Sequence, residues 1–219
     1  DVNYSSSIAA NNQAKGETIN SLKVSTGIGG NVTLDLINEY ETSDLRKDFS
    51  VKYANDPIVK DWFITKFRDA SSLATVNGYG GNDWILMRYA DVILMLAEVN
   101  MLQGNDAAAA QYLDMVRARA GMPTYSVSRT NAAYATAFPT LKLAILHERR
   151  VEFAFEHQRW FDLIRNFTAT ELATYLKAKP QSSFGIAKLA NVTTKDRFFP
   201  IPFDEVKLDP AKMYQNPGY

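Results

Sequence analysis

From Glu148 to Arg165 the chain threads alternating charges through large apolar side chains at helical spacing. Glu148, Glu152 and Glu156 fall four apart, on one stripe of a helix, with Arg149, Arg159, Asp162 and Arg165 at neighbouring offsets. Two such glutamates could serve as the acid and base of a retaining glycosidase, whose carboxyls stand about 5–5.5 Å apart. Interleaved arginines argue against that chemistry. They lower carboxyl pKa values, whereas a general acid needs one raised by apolar burial or a like charge. The stripe therefore reads as a structural ion-pair network, in which Glu148 and Glu152 reach Arg88, Arg117 and Arg119 on neighbouring helices, with Arg149, Glu156, Arg159 and Asp162 beside them.

The rest of the chain has the composition to support such a scaffold. With 219 residues, 46% hydrophobic and 12% aromatic, it can bury a sizeable core. Twenty-four basic residues balance 24 acidic ones, which removes the electrostatic footprint of a nucleic-acid binder. The absence of cysteine removes disulfides, thiolate metal sites and cysteine nucleophiles together. The longest apolar run, Trp84 to Leu102, is broken by Arg88, Asp91 and Glu98 and reads as a buried helix, not a membrane span.

Residues 1–32 are rich in Ser, Asn, Gly and Thr and read as loop. Thr33 to Tyr40 reads as a short helix capped by Asn31 or Thr33. Phe49, Val51 and Tyr53, the turn Asn55-Asp56-Pro57 and the run Trp62 to Phe67 read as a small hairpin. A first long helix is expected from about Asp83 to Gln103, ended by Gly104. A second carries the stripe Ala109, Leu113, Val116 and Ala120 and stops at Gly121 and Pro123. Residues 122–138 read as irregular, and a third helix is expected from near Pro139 to about His157. Arg159 to Asn166 follows, then a last helix opened by the capping box Thr168-Ala169-Thr170-Glu171 and ended by Pro180. Prolines 200, 202, 210 and 217 exclude regular structure from Arg197 onward. The fold class is mainly α, built from tetratricopeptide-like helical hairpins with long irregular loops and a small β-hairpin.

Motifs for other chemistries fail. His147-Glu148 lacks the second histidine of a zinc protease, since Val151 holds that place, and with two histidines in all no metal site or cofactor is expected. Gly27 to Gly30 and Gly78 to Gly81 lack the Lys-Ser/Thr of a phosphate loop, and no nucleophile elbow occurs. No catalytic residue is assigned. Sugars are bound by aromatic faces flanked by amide and charged hydrogen-bonding groups. Asn3, Tyr4, Asn11, Asn12, Asn77, Tyr79 and Asn82 have that character and are the candidate ligand contacts, whereas Trp84, Phe153, Phe155 and Trp160 read as packing.

Three segments together resemble the C-terminal half of SusD/RagB proteins. They are Met87-Arg88-Tyr89-Ala90-Asp91 through Glu98 to Val116-Arg117-Ala118-Arg119-Ala120-Gly121, the charged helix from Glu148, and Phe199-Pro200-Ile201-Pro202 with the terminal Gln215-Asn216-Pro217-Gly218-Tyr219. Asp44-Leu45-Arg46 resembles a weaker family signature, and His157 departs from it where a glycine often stands. The resemblance implies that residues 1–219 are the C-terminal part of one SusD-like α-α superhelix. Within it, 1–82 would be loop-rich, 83–179 the helical scaffold and 180–219 an irregular segment. Upstream would lie further repeats and a lipidated N-terminal cysteine attaching the protein to the membrane. It also implies a surface lipoprotein of the Bacteroidetes outer membrane, which captures an oligosaccharide or polysaccharide and delivers it to a SusC-like TonB-dependent transporter without catalysis. The alternatives are a peptide-binding RagB-like relative, a purely structural helical-repeat module and, on the helix glutamates, a glycoside hydrolase.

Overall fold

The computed structural model describes residues 32–55, 60–69, 82–184 and 189–219, and the backbone of two short antiparallel strands, β1 (Thr18–Ile19) and β2 (Leu22–Lys23). These strands interrupt the stretch expected to be loop; two residues are too few to show an alternation. The chain divides into two compact units, residues 1–158 and 159–219.

In the first unit, Thr33 caps α1 (Leu34–Ile37), its Oγ1 accepting from the Leu36 N–H at 3.4 Å. Asp44 caps α2 (Leu45–Ser50), accepting from the Arg46 N–H at 2.9 Å. That cap draws Phe49 into a helix, where its side chain is exposed, rather than into the strand its alternation with Val51 suggested. The hairpin follows as β3 (Val51–Asn55) and β4 (Lys60–Ile64), with Val51 opposite Ile64 and Tyr53 opposite Trp62. The Asp56 and Pro57 of its expected turn lie outside the described residues. Val51 joins Val32, Leu36, Ile37, Tyr40, Val151 and Ala154 in one apolar cluster, which gives this small ribbon the surface it needs.

The two long helices are α3 (Tyr89–Leu102) and α4 (Asp106–Arg119). Gly104 at φ +79° makes the turn between them and Gly121 at φ +74° ends the second, both in the left-handed region that favours glycine. The α4 stripe Ala109, Leu113, Val116 and Ala120 is almost fully buried. Its Leu113 and Val116 meet Ile93, Leu94 and Ala97 of α3 and Ala144 and Ile145 of a later helix in the principal core. Each large side chain so buried contributes roughly 1.5–3 kcal/mol. Two expectations for α3 are corrected. It starts at Tyr89, not near Asp83, because Arg88 stands in extended conformation (φ −125°, ψ 158°) ahead of it. It is also not wholly buried: Val92, Leu96 and Val99 are exposed on the side away from Leu94 and Ala97.

Residues 122–138, expected to be irregular, hold two short helices, α5 (Tyr125–Ser128) and α6 (Ala132–Ala137). Each is nucleated by its cap, Thr124 and Asn131; the Asn131 Oδ1 accepts from the N–H groups of Ala133 and Tyr134. Thr140 caps α7 (Leu141–Glu152). This helix ends five residues before His157, because Phe155 (φ +68°) and His157 (φ +64°) adopt left-handed backbone that no helix continues through.

The second unit holds α8 (Arg159–Asn166) and α9 (Ala169–Lys177), the latter opened by a complete capping box between Thr168 and Glu171. Leu163, Leu172 and Ala173 are its buried apolar residues. Three 3-10 turns follow, and then α10 (Phe203–Leu208). This helix corrects the expectation that prolines forbid regular structure after Arg197, since Pro202 sits at its N-cap and Pro210 falls beyond its end. Gln215 then bridges back to both the N–H and the carbonyl of Ile201.

Candidate functional site

The acidic stripe of α7 faces a set of cations drawn from four places in the first unit. Glu148 is fully buried and accepts from Arg46 of α2 at 2.6 Å and from Arg117 of α4 at 2.9 Å. Arg46 also forks onto its own helix cap, with Nε and Nη2 each 2.8 Å from the Asp44 carboxylate. Glu152 accepts from Arg46 at 3.1 Å, from Arg88 at 2.8 Å and from Arg119. Glu156 lies beyond the end of α7 rather than on its stripe, yet the left-handed turn returns it to Arg88 at 2.8 Å and to Lys66 at 2.5 Å. Lys66 further donates to the carbonyls of Glu152 and Ala154, holding the broken helix end.

A second row lies beside the first. Arg149 reaches Asp91 of α3 at 2.7 Å, and Arg150 reaches Asp35 at 2.5 Å and also Glu39. Arg117, itself fully buried, spans Glu148, Glu41 and the Ser128 hydroxyl. Arg159 and Asp162 belong to the second unit, where Arg159 donates to the Tyr175 hydroxyl and Asp162 accepts from Arg165.

The electrostatics of this cluster oppose proton donation. Burial alone would push the Glu152 carboxyl up, but hydrogen bonds from Arg119 and Arg88 outweigh it and hold it at about 2. Glu41, likewise raised by burial, is brought down to about 2 by His147 and Arg117. A carboxyl held this low stays ionised at neutral pH and has no proton to give a leaving group. Among the described residues no group of His, Asp and Glu is arranged to hold a metal ion.

Sequence reading named Arg88, Arg117, Arg119 and the three glutamates, and the structure brings these together. It missed Glu41 and Lys66 altogether and weighed His147 only as a zinc ligand. Arg46 and Asp44 stood only as a weak motif, and the glutamate partners of Arg46 lie more than a hundred positions away, a pairing that helical periodicity cannot show. Of the candidate ligand contacts, Asn3, Tyr4, Asn11, Asn12, Asn77 and Tyr79 lie outside the described residues. Asn82 is described, and its Nδ2 donates to the Phe67 carbonyl at 3.1 Å. Phe153 packs in the core, whereas Trp84 is 37% exposed, its ring 5.2 Å from Phe67 and 5.1 Å from His157.

The sequence model of the SusD family matches residues 53–219, which takes in most of the hairpin, α3, α4, α7 and the whole second unit. The chain belongs to the SusD family. A SusD-like protein, P2, of Formosa agariphila is 28% identical over 190 residues, covering 86% of this chain and 36% of that protein. The solved surface glycan-binding protein A from Bacteroides uniformis is 26% identical with a TM-score of 0.62, covering 84% of this chain and 40% of its own. NanU of B. fragilis, at 23% identity, shares the fold with a TM-score of 0.65 over 97% of this chain and 45% of its own. The SusD-family chain thus spans less than half the length of each of these relatives.

Proposed function

We propose that this SusD-family chain is part of a non-catalytic, glycan-binding lipoprotein on the bacterial cell surface, which delivers an oligosaccharide to a SusC-like TonB-dependent transporter of the outer membrane. The observation that supports it most is the family match across residues 53–219, joined to the likeness, at 26% identity, to a surface glycan-binding protein. The buried ion pairs support the non-catalytic part of the reading. Their carboxylates are saturated by guanidinium groups, so the helix glutamates act as braces between elements of the fold. Sugar contacts are assigned to Asn3, Tyr4, Asn11, Asn12, Asn77, Tyr79 and Asn82 on their residue chemistry alone.

Calorimetry against a panel of polysaccharides and oligosaccharides, run alongside a reducing-sugar assay, tests the reading. Micromolar to millimolar binding without product release is the expected result. Steady release of reducing ends would replace it with a hydrolase, and binding of peptides alone would replace the ligand class. Tyr4→Ala should weaken the glycan affinity, and an unchanged affinity removes Tyr4 from the contacts.

A further inference from the structure

His147 lies on α7 with only 1% of its surface exposed, and each of its ring nitrogens faces a carboxylate. Nδ1 is 3.4 Å from Glu39 Oε1 and Nε2 is 3.4 Å from Glu41 Oε1, while the ring stacks on Phe138 with centroids 4.0 Å apart. A neutral imidazole carries one N–H and one lone pair. In that form one of the two contacts would set a lone pair against an anionic oxygen in a dry interior. Only the imidazolium donates at both.

The surrounding groups decide where the proton sits. From the segment that follows α1 come Glu39 and Glu41; from α1 itself comes Asp35, which pairs with Arg150. From α4 comes Arg117, shared between Glu41 and Glu148, and from α6 comes the Tyr134 ring, 6.0 Å away. On α7 itself Glu148 and Arg150 lie one and three positions after His147. Around His147 these four acids share three guanidinium groups, Arg117, Arg150 and Arg46, the last of which also serves Asp44 and Glu152, so the ring adds a cation to an acid-rich cluster. Glu41 holds its carboxyl at about 2, so it does not take the proton in place of the ring.

We infer that His147 is a buried imidazolium at neutral pH and, beside Arg117 and Arg150, is the titratable charge that fastens the Asp35–Glu41 strap to α7, so that the strap loosens when the ring is deprotonated. Burial pushes the ring's pKa down, but its hydrogen bonds to the Glu39 and Glu41 carboxylates outweigh this and raise the pKa above the ordinary value. The sign follows from linkage. A raised folded-state pKa stabilises fully below the unfolded value of about 6.5, and that stabilisation is lost as pH rises through the folded value. Alkaline conditions therefore loosen the strap, while mild acid leaves it fastened.

The chain has only two histidines, so His157→Asn leaves His147 as the single imidazole; asparagine tolerates the left-handed backbone at that position. Long-range proton–nitrogen NMR on this variant should show both ring nitrogens protonated at pH 7, with the neutral signature appearing only at higher pH. Amide exchange at Leu36 to Glu41 should accelerate at least tenfold across the same pH step. In His147→Gln, where nothing titrates, that step should vanish. A neutral ring at pH 7 overturns the inference, and so does deprotonation that leaves the exchange of the strap unchanged. Because the ring signature is read in a protein that retains His147, the test stands even if His147→Gln does not fold.

Discussion

Arg46 Nη1 donates to Glu148 Oε1 at 2.6 Å, joining residues 102 positions apart and tying the short α2 helix to the middle of α7. Both side chains are buried, the Glu148 carboxylate completely. Charges buried this way are strongly destabilising to break, because the surviving partner has no water to turn to.

Arg46→Met is therefore expected to lower stability by roughly 3 kcal/mol, the lower end of the range for orphaning a buried charge, because Arg117 still serves Glu148. Urea denaturation reads this as a shifted midpoint with an unchanged slope. In a double-mutant cycle with Glu148→Gln, a coupling energy near zero would show that the two groups merely lie close together.

Acid should unfold the first unit through Glu152 and Glu41. Both carboxyls are held at about 2, below the ordinary value of 4.5. A depressed folded-state pKa gives stability that is present above the unfolded value and is lost as pH falls through the folded one. The melting temperature should accordingly fall between about pH 4.5 and pH 2, and Glu152→Gln should make that descent shallower. A descent of the same steepness in the variant would assign the acid sensitivity to other carboxylates.

The capping box of α9 gives a local test in the second unit. Thr168 accepts from the Glu171 N–H at 3.3 Å, and the Glu171 carboxylate accepts from the Thr168 N–H at 2.8 Å. Thr168→Ala should cost about 1 kcal/mol, the usual worth of a lost N-cap. Glu171→Ala should cost less, since it removes one side of the box and leaves the hydroxyl in place. Equal melting temperatures for Thr168→Ala and the parent chain would show that α9 is held by the burial of Leu172 and Ala173 and by the contacts of Tyr175, and not by its cap.

What could be read from the sequence divides along physical lines. The box at Thr168 and the glycines after α3 and α4 act within a few residues, and each ended or began a helix where its chemistry said it would. The stripe of α4 recurs at 3.6-residue spacing and so announced its own core face. The ion-pair site was half legible. Glu148 and Glu152 share one helix, but Arg46, Lys66 and Glu41 reach it through tertiary packing that leaves no periodic trace. The early end of α7 was invisible because Phe155, the first residue to turn left-handed, is of a type that seldom adopts such backbone.

That turn supplies the last prediction. His157 at φ +64° carries the cost of a side chain in the left-handed region, about 1–2 kcal/mol and at the low end for histidine, which visits it more often than most. Its ring offsets part of this by meeting Trp84 edge-on at 5.1 Å, a contact worth roughly 0.5–1.5 kcal/mol when buried and less beside an indole that is 37% exposed. His157→Ala removes the ring and keeps the strain, so it should destabilise slightly. His157→Gly removes both and should be more stable than the alanine variant by about 1 kcal/mol, a rise of some 2–4 °C in melting temperature for a chain of this size. The comparison of the two variants isolates the backbone, because each lacks the Trp84 contact. Identical melting temperatures for alanine and glycine would mean that the turn relaxes out of the left-handed region once the histidine is gone, and that the ring contact, rather than the chain's connection to α8, holds it there.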